Sequence, residues 1–278
     1  MAMIPVEAEV TALCRTLKLP AVGRDAVHLA NEACRKGTAH LNYLAQLLEI
    51  EHRERDARRT ARRLKEAGFP LVKTLEGFDF KRAPHLPEVR IRELAVGHYI
   101  DQAESVILLG EPGTGKTHLA TALGVAATQQ GRSVRFVTAA RLATELTEAR
   151  DAHELGRIVG RYSRVEVLVL DELGYVPLGR TDAELLFQVL SERQERRPVI
   201  VTTNLPFGEW TSVFSDARLC RAVVDRLTHR AHIIETGSQS IRLVETLARS
   251  QSRSNDVNHE TNTSPRCHIR DTGHHTRR

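Results

Sequence analysis

The central part of this chain predicts an α/β fold built on a parallel sheet, and three observations carry that prediction. From residue 105 to residue 247, short apolar runs alternate with longer helical stretches. The first run, "SVILLG", is apolar throughout and passes straight into the glycine-rich "GEPGTGKT". The third run, "VEVLVLDE", ends in two carboxylates. Continuous apolar strands separated by helices imply strands buried on both faces, hence a parallel sheet covered by helices on both sides.

Taken in order, "SVILLG" is the first strand and "KTHLATALGVAATQQG" a helix closing on Gly131. "SVRFVTA" is the second strand and "ARLATELTEAR" the second helix. "VEVLVLDE" is the third strand. "TDAELLFQVLSERQE" is the third helix, opened by a capping box in which Thr181 and Glu184 serve each other's backbone N–H groups. "PVIVTTN" is the fourth strand, and "HIIET" and "IRLVE" are candidates for late ones.

The flanks divide the rest of the chain. Residues 1–70 read as a small helical N-terminal domain without a clear strand. Its long helix, in "LNYLAQLLEIEHRERDARRTARRLKEAGFP", ends near Gly68 with Pro70 beyond. Leu41, Leu44 and Leu48 recur at helical spacing and are expected to face a core or a partner. Arg55, Arg58, Arg59, Arg62 and Arg63 gather on the polar part of this helix. Such a row neutralises DNA phosphates without reading sequence, and a solvated, salt-bridged face explains the same charges. Residues 71–104 form a connector in which Ile91, Leu94, Ala95 and Tyr99 make one helix face. Residues 105–249 are the main domain. Residues 250–278 are almost free of apolar side chains and are expected to be disordered. Cys267, His268, His274 and His275 in that tail match no standard metal spacing.

Composition narrows the function classes. Lys and Arg outnumber Asp and Glu by 40 to 35, a mild excess that keeps nucleic acid among the partners. The four cysteines are scattered, with no C-x-x-C pair, which argues against a disulfide framework and fits a reducing compartment. The amino-terminal stretch lacks the pattern of a secretion signal, and no run of apolar residues is long enough for a membrane span. A cytoplasmic protein without a membrane partner is expected.

The chemistry lies in four places. Gly110, Glu111, Pro112, Gly113, Thr114, Gly115, Lys116 and Thr117 fit G-x-x-x-x-G-K-[ST] between a strand and a helix, with His118 next in line. Glycines let the backbone curl so that N–H groups point at phosphate oxygens, and the helix aims its positive end at the same spot. Lys116 would meet the β and γ phosphates of ATP, and Thr117 would ligate Mg²⁺. Asp171 would hold Mg²⁺ directly or through water, and Glu172 would polarise the attacking water. Asn204, at the carboxyl end of the fourth strand, can orient that water or touch the γ-phosphate, with Thr202 and Thr203 as alternatives. Finally, "SDARLCRAVVDRLTHRAH" offers Arg226, and next Arg218 and Arg221, as a cation supplied in trans to a neighbour's γ-phosphate.

"GEPGTGKT", "LVLDELG", "TTNLP" and "DRLTHR", in that order, resemble the AAA+ ATPases of the DnaC-like helicase-loader branch. "RRLKEAGFPLVKTLEGFDF", "VLDELGYVPLGRTDAELLFQVLSER" and "TTNLPFGEWTSVFSDARL" are more similar to IstB-like helper ATPases of bacterial insertion sequences, over roughly residues 30–247. This resemblance implies a P-loop NTPase (AAA+) with a parallel five-stranded sheet in the order 5-1-4-3-2. It implies ATP-driven assembly of a homo-oligomer on duplex DNA and recruitment of the transposase encoded by the same element. It places Phe78 and Phe80 near the adenine. A replicative helicase loader is the alternative within the same branch. The pattern departs from the larger family in showing no helical lid after residue 247.

Overall fold

The computed structural model describes residues 5–214, 216–238 and 240. Three helices open the chain: α1 (Val6–Thr16), α2 (Pro20–Lys36) and α3 (His40–Ala67). α2 begins on a proline at its first turn and stops at Gly37, which takes the left-handed conformation (φ 62°). Gly68 ends α3 in the same way. The three helices bury Cys14, Val22, Ala26 and Leu47 between them, with Val10, Leu19, Leu29 and Tyr43 packed alongside.

Glu51 organises this small unit. It is 4 % exposed, and its carboxylate accepts the N–H groups of Ala21 (2.9 Å) and Val22 (3.3 Å) at the start of α2. It also accepts Arg55 Nε at 2.8 Å. α2 has no side-chain cap of its own, so a carboxylate from α3 serves as one. Burial alone would raise the pKa of Glu51. Arg55 and the two N–H donors outweigh it and hold the carboxyl below its ordinary value.

Leu41, Leu44 and Leu48 do not face this chain's own core: they are 78 %, 48 % and 52 % exposed. The buried stripe runs through Tyr43, Leu47 and Glu51 instead. The two stripes share one period and differ by a rotation about the helix axis, which spacing alone does not determine.

Residues 71–104 are less a connector than part of the main core. A 3-10 turn (Phe80–Arg82), α4 (Glu88–Val96) and α5 (His98–Asp101) precede β1 (Val106–Leu109). Leu75, Phe78, Ala83, Leu86, Ile91, Leu94, Tyr99 and Ile100 are all buried, in one cluster with β1 and α6 (Lys116–Gln129). The C-terminal end of α3 joins them: Ala67 is fully buried, and Phe69 meets Phe136 edge-on at 6.0 Å. A Cβ on Gly124 would stand 2.9 Å from the Phe69 ring, so this helical glycine is what lets the ring in. The boundary expected at residue 70 therefore crosses a packed interface.

The remaining elements are β2 (Val134–Thr138), α7 (Ala139–Asp151), α8 (Leu155–Arg164), β3 (Val167–Asp171), α9 (Arg180–Arg193), β4 (Val199–Thr203), α10 (Ala217–Thr228) and β5 (His232–Glu235). All pairings are parallel, and the order is β2-β3-β4-β1-β5, which is 5-1-4-3-2 read from the other edge. Alternate residues feed two cores. Ile107, Leu168, Leu170 and Val201 meet α7 to α10 on one face, and Val106, Leu108, Val169 and Ile200 meet α6 and the 75–100 segment on the other.

Two features differ from the sequence reading. α8 lies in a stretch to which the sequence reading assigns no element; Gly156 and Gly160 lower its local helix propensity, and burial of Ile158, Val159 and Tyr162 overrides that. The capping box is absent: α9 starts at Arg180 after Gly179, with no side-chain cap, and Glu184 takes Arg180 instead. "IRLVE", the region of the missing lid and the 250–278 tail with its Cys and His residues lie outside the described residues.

Two outcomes test this packing. Leu47→Ala should cost about 3 kcal/mol in chemical denaturation, against less than about 0.5 kcal/mol for Leu44→Ala. Glu51→Gln should lower stability by about 2 kcal/mol at neutral pH, where a charge-assisted acceptor is removed. Because the Glu51 pKa is depressed in the fold, its contribution holds above the ordinary carboxyl pKa of about 4.3 and fades as pH falls through the lower folded value. The wild-type and glutamine variants should therefore converge in acid, which thermal unfolding across pH will read.

Candidate nucleotide site

The site lies at the carboxyl ends of β1, β3 and β4, where the strand order brings together segments far apart in the chain. Between β1 and α6 the chain turns through Gly113 (φ 88°) and Gly115 (φ 95°), conformations that favour glycine. Gly115 is the N-cap of α6 and supplies no side chain, so no side-chain cap covers the helix start. A helix start of this kind offers its N–H groups and positive end to an anion. Lys116 folds back over the loop, donating to the carbonyls of Gly110 (2.6 Å) and Glu111 (2.8 Å).

The loop is supported from behind. Thr236, just after β5, is fully buried. Its N–H donates to Leu109 O at 2.6 Å, and its hydroxyl lies 2.6 Å from the Thr114 hydroxyl. Gly237 O accepts the Glu111 N–H at 3.0 Å, and His85 Nε2 lies 2.8 Å from Thr236 O. A Cβ on Gly110 would stand 2.4 Å from Thr236 Oγ1, so the first glycine of the motif serves packing as well as curvature. Neither His85 nor Thr236 belongs to a motif that the sequence makes visible. "HIIET" is legible as a late strand, but only its pairing beside β1 brings its threonine to the loop.

β3 contributes Asp171 and Glu172. Asp171 is 4 % exposed, and its Oδ1 accepts two hydroxyls, Thr117 at 3.1 Å and Thr202 at 2.5 Å. Glu172 follows with φ 60°, a left-handed backbone uncommon for a residue with a side chain. Lys116, Thr117, Glu172, Thr202 and Asn204 line one cleft of about 190 Å³, with the exposed Tyr175 also on its wall. Thr202 and Thr203 are almost wholly buried and Asn204 is half-buried, which leaves the asparagine the more accessible of the three. His118 faces the segment before the 3-10 turn: its Nε2 is 2.9 Å from Thr74 O and its ring meets Phe78 edge-on at 5.1 Å. Phe78 in turn contacts Phe80 at 4.8 Å.

The arginines behave differently. Arg226 sits with its guanidinium 4.0 Å over the Phe187 ring and donates to the Ser191 hydroxyl. It borders a pocket with Ser105 and Val199, at the opposite end of the strands from the phosphate loop. Within one subunit it is thus remote from the cleft. Arg218 and Arg221 are exposed on the same helix. On α3, Arg58, Arg59 and Arg62 are exposed and pair with Glu54, Asp56 and Glu66. Arg55 is held by Glu51 and by Lys18 O. Arg63 is half-buried near Gly131.

No cluster of three or more potential metal-ligating His, Cys, Asp or Glu residues occurs among the described residues, and none of their helices is long and apolar enough to cross a membrane.

The family described as IstB-like ATP binding protein matches residues 12–249. The chain is 38 % identical over 237 residues to an insertion sequence IS21 putative ATP-binding protein of Pseudomonas aeruginosa, covering 85 % of this chain and 89 % of that protein. It is 37 % identical over 232 residues to an IS5376 putative ATP-binding protein of Geobacillus stearothermophilus, covering 84 % of this chain and 92 % of that one. In fold it is similar to AMPPCP-bound DnaA from Aquifex aeolicus, with a TM-score of 0.51 at 21 % identity, over 60 % of this chain and 51 % of that one. It is also similar to DnaI, with a TM-score of 0.50 at 20 % identity, over 59 % and 90 % of the two chains. The chain belongs to the IstB-like ATP-binding family, AAA+ proteins with a P-loop sheet, and it is an ATPase.

Proposed function

We propose that this ATPase assembles as a homo-oligomer on duplex DNA, driven by ATP, and assists the transposase of its own insertion sequence. One observation carries the catalytic part: the phosphate loop, Glu172 and Asn204 line a single cleft although they come from three separate strands, and Asp171 accepts the Thr117 hydroxyl just behind it. The transposition part is supported by relatives that carry insertion-sequence names and align with most of this chain.

In this reading, the N–H groups of residues 113–117 and the Lys116 ammonium receive the β and γ phosphates. Lys116 would exchange its two carbonyl partners for phosphate oxygens. Thr117 and Asp171 present hard oxygens 3.1 Å apart at the start of α6, which suits Mg²⁺. When bound, that ion would offset the charge of the phosphate oxygens. Glu172 accepts a proton from the attacking water, and Asn204 orients that water through its amide. Phe78 and Phe80, with His118 against the Phe78 ring, lie near the base. Arg226, out of reach of its own cleft, serves a neighbour's, after release from Ser191; Arg218 and Arg221 are the other candidates. Arg58, Arg59 and Arg62 meet DNA phosphates by exchanging their intrahelical partners, beside Arg63 and with Arg55 as their structural anchor. Exposed pairs of this kind are worth only about 0–1 kcal/mol, so the exchange is inexpensive.

A helicase loader would share the motor and differ in the partner gripped by α1 to α3. Pull-down with the transposase from the same element, compared with a replicative helicase, decides between the two. Capture of the helicase alone would overturn the transposition reading.

Three further outcomes are expected. Lys116→Ala should weaken ATP binding by about 100-fold, the loss of one or two charged hydrogen bonds; normal affinity would refute the site. Glu172→Gln should keep ATP binding while lowering kcat by about 10²-fold or more, as general-base loss does. Replacing Arg58, Arg59, Arg62 and Arg63 together with Ala should reduce the log–log salt slope of duplex binding by about 0.9 for each phosphate no longer neutralised.

A further inference from the structure

Thr202, the penultimate residue of β4, is 1 % exposed, and its hydroxyl makes two hydrogen bonds of opposite sense. It donates to Asp171 Oδ1 at 2.5 Å and accepts the backbone N–H of Glu172 at 2.8 Å. These directions are fixed, because an ionised carboxylate only accepts and a backbone N–H only donates. The carbonyl of the same residue accepts the next N–H, that of Leu173, at 2.9 Å. Ordinary strand pairing between β3 and β4 has ended by then, at Leu170 opposite Val201. Thr202 therefore carries the junction one step further, with its side chain standing in for a ladder carbonyl.

The step matters because of what it holds. Glu172 occupies the left-handed region at φ 60°, which an L residue keeps only where its surroundings impose it. Two consecutive N–H groups, those of Glu172 and Leu173, are fastened to one residue of β4. The same hydroxyl fixes Asp171 Oδ1, the atom that also accepts Thr117 at the start of α6. One buried hydroxyl thus couples the carboxylate facing the phosphate loop to the backbone of the residue beside it.

We infer that Thr202 is a positioning residue for ATP hydrolysis: its hydroxyl sets the orientation of Asp171 and the backbone twist that turns Glu172 into the cleft. The inference rests on the roles given above to Asp171 and Glu172. Thr202 does not meet the water itself. That task stays with Asn204, which is more accessible in the same cleft.

Thr202→Val keeps the shape and removes the hydroxyl; Thr202→Ser keeps the hydroxyl and removes a methyl. Steady-state ATP hydrolysis, equilibrium binding of a fluorescent ATP analogue and the Mg²⁺ dependence of the rate should be measured on both, beside Glu172→Gln. Supporting groups of this kind are typically worth about 10–100-fold, so the valine variant should lose about that much kcat. Its nucleotide affinity should stay within about three-fold of wild type, because binding energy lost only in the transition state shows in kcat. Its half-saturating Mg²⁺ concentration should rise, because Asp171 loses the hydroxyl that orients it. The serine variant should recover most of the rate. A valine variant with wild-type kcat beside an inactive Glu172→Gln overturns the inference and leaves the site reading intact. A serine variant as slow as valine also overturns it, since only packing would then be at stake. An active Glu172→Gln overturns the site reading itself. Should the valine variant not fold, Thr202→Ala with the same serine control reads the same outcomes.

Discussion

The carboxylate of Asp171 joins three strands that are far apart in the chain. One of its oxygens accepts a hydroxyl from the start of α6 and another from β4, so the loop after β1, the end of β3 and the end of β4 share one atom. This is possible only because β4 lies between β1 and β3. Were β3 and β1 neighbours, Thr202 would have no place in the junction and Asn204 no place in the cleft. A buried carboxylate is costly unless its acceptors are used. The two hydroxyls occupy those acceptor positions at the point where the proposed chemistry lies.

The phosphate loop depends on a second layer. Thr236 and Gly237, leaving β5, and His85, in the segment before α4, bind the backbone of the loop and one another. Loops rich in glycine gain reach toward a ligand and lose rigidity. Here the rigidity returns from residues that flank the β1–β4 stretch in sequence, His85 before it and Thr236 and Gly237 after it. The burial of residues 75–100 beneath α6 has the same effect, since it fixes the helix whose first turn completes the site.

The helical unit at the amino terminus follows a different logic. It is small, and its apolar cluster is correspondingly modest. A buried carboxylate, Glu51, caps a helix that lacks a cap of its own and is held by Arg55. Arg55 thereby differs from its neighbours on α3. It is part of the unit's internal bracing, while Arg58, Arg59 and Arg62 stay on the surface with weak partners.

Chemical identity and local period are written in single segments, and those the sequence determined by itself. Each strand of the sheet from β1 to β5, the glycine turn before Lys116, the Asp171–Glu172 pair and the helix ending at Gly68 were all legible from residues within one stretch. So was the strand order, through a resemblance carried by four motifs. What only the tertiary structure decided concerns partners. Leu47 is buried and Leu44 is not, although both fit the same helical spacing. Gly156 and Gly160 sit in a helix because Ile158 and Tyr162 are buried there. Arg226 rests on Phe187, far from its own cleft, and Thr202 and Thr236 complete a site that no motif names. The physical reason is common to these cases. A side chain's type and spacing fix what it can bond and which face it lies on, whereas its actual partner comes from another element, chosen by the packing of the whole sheet.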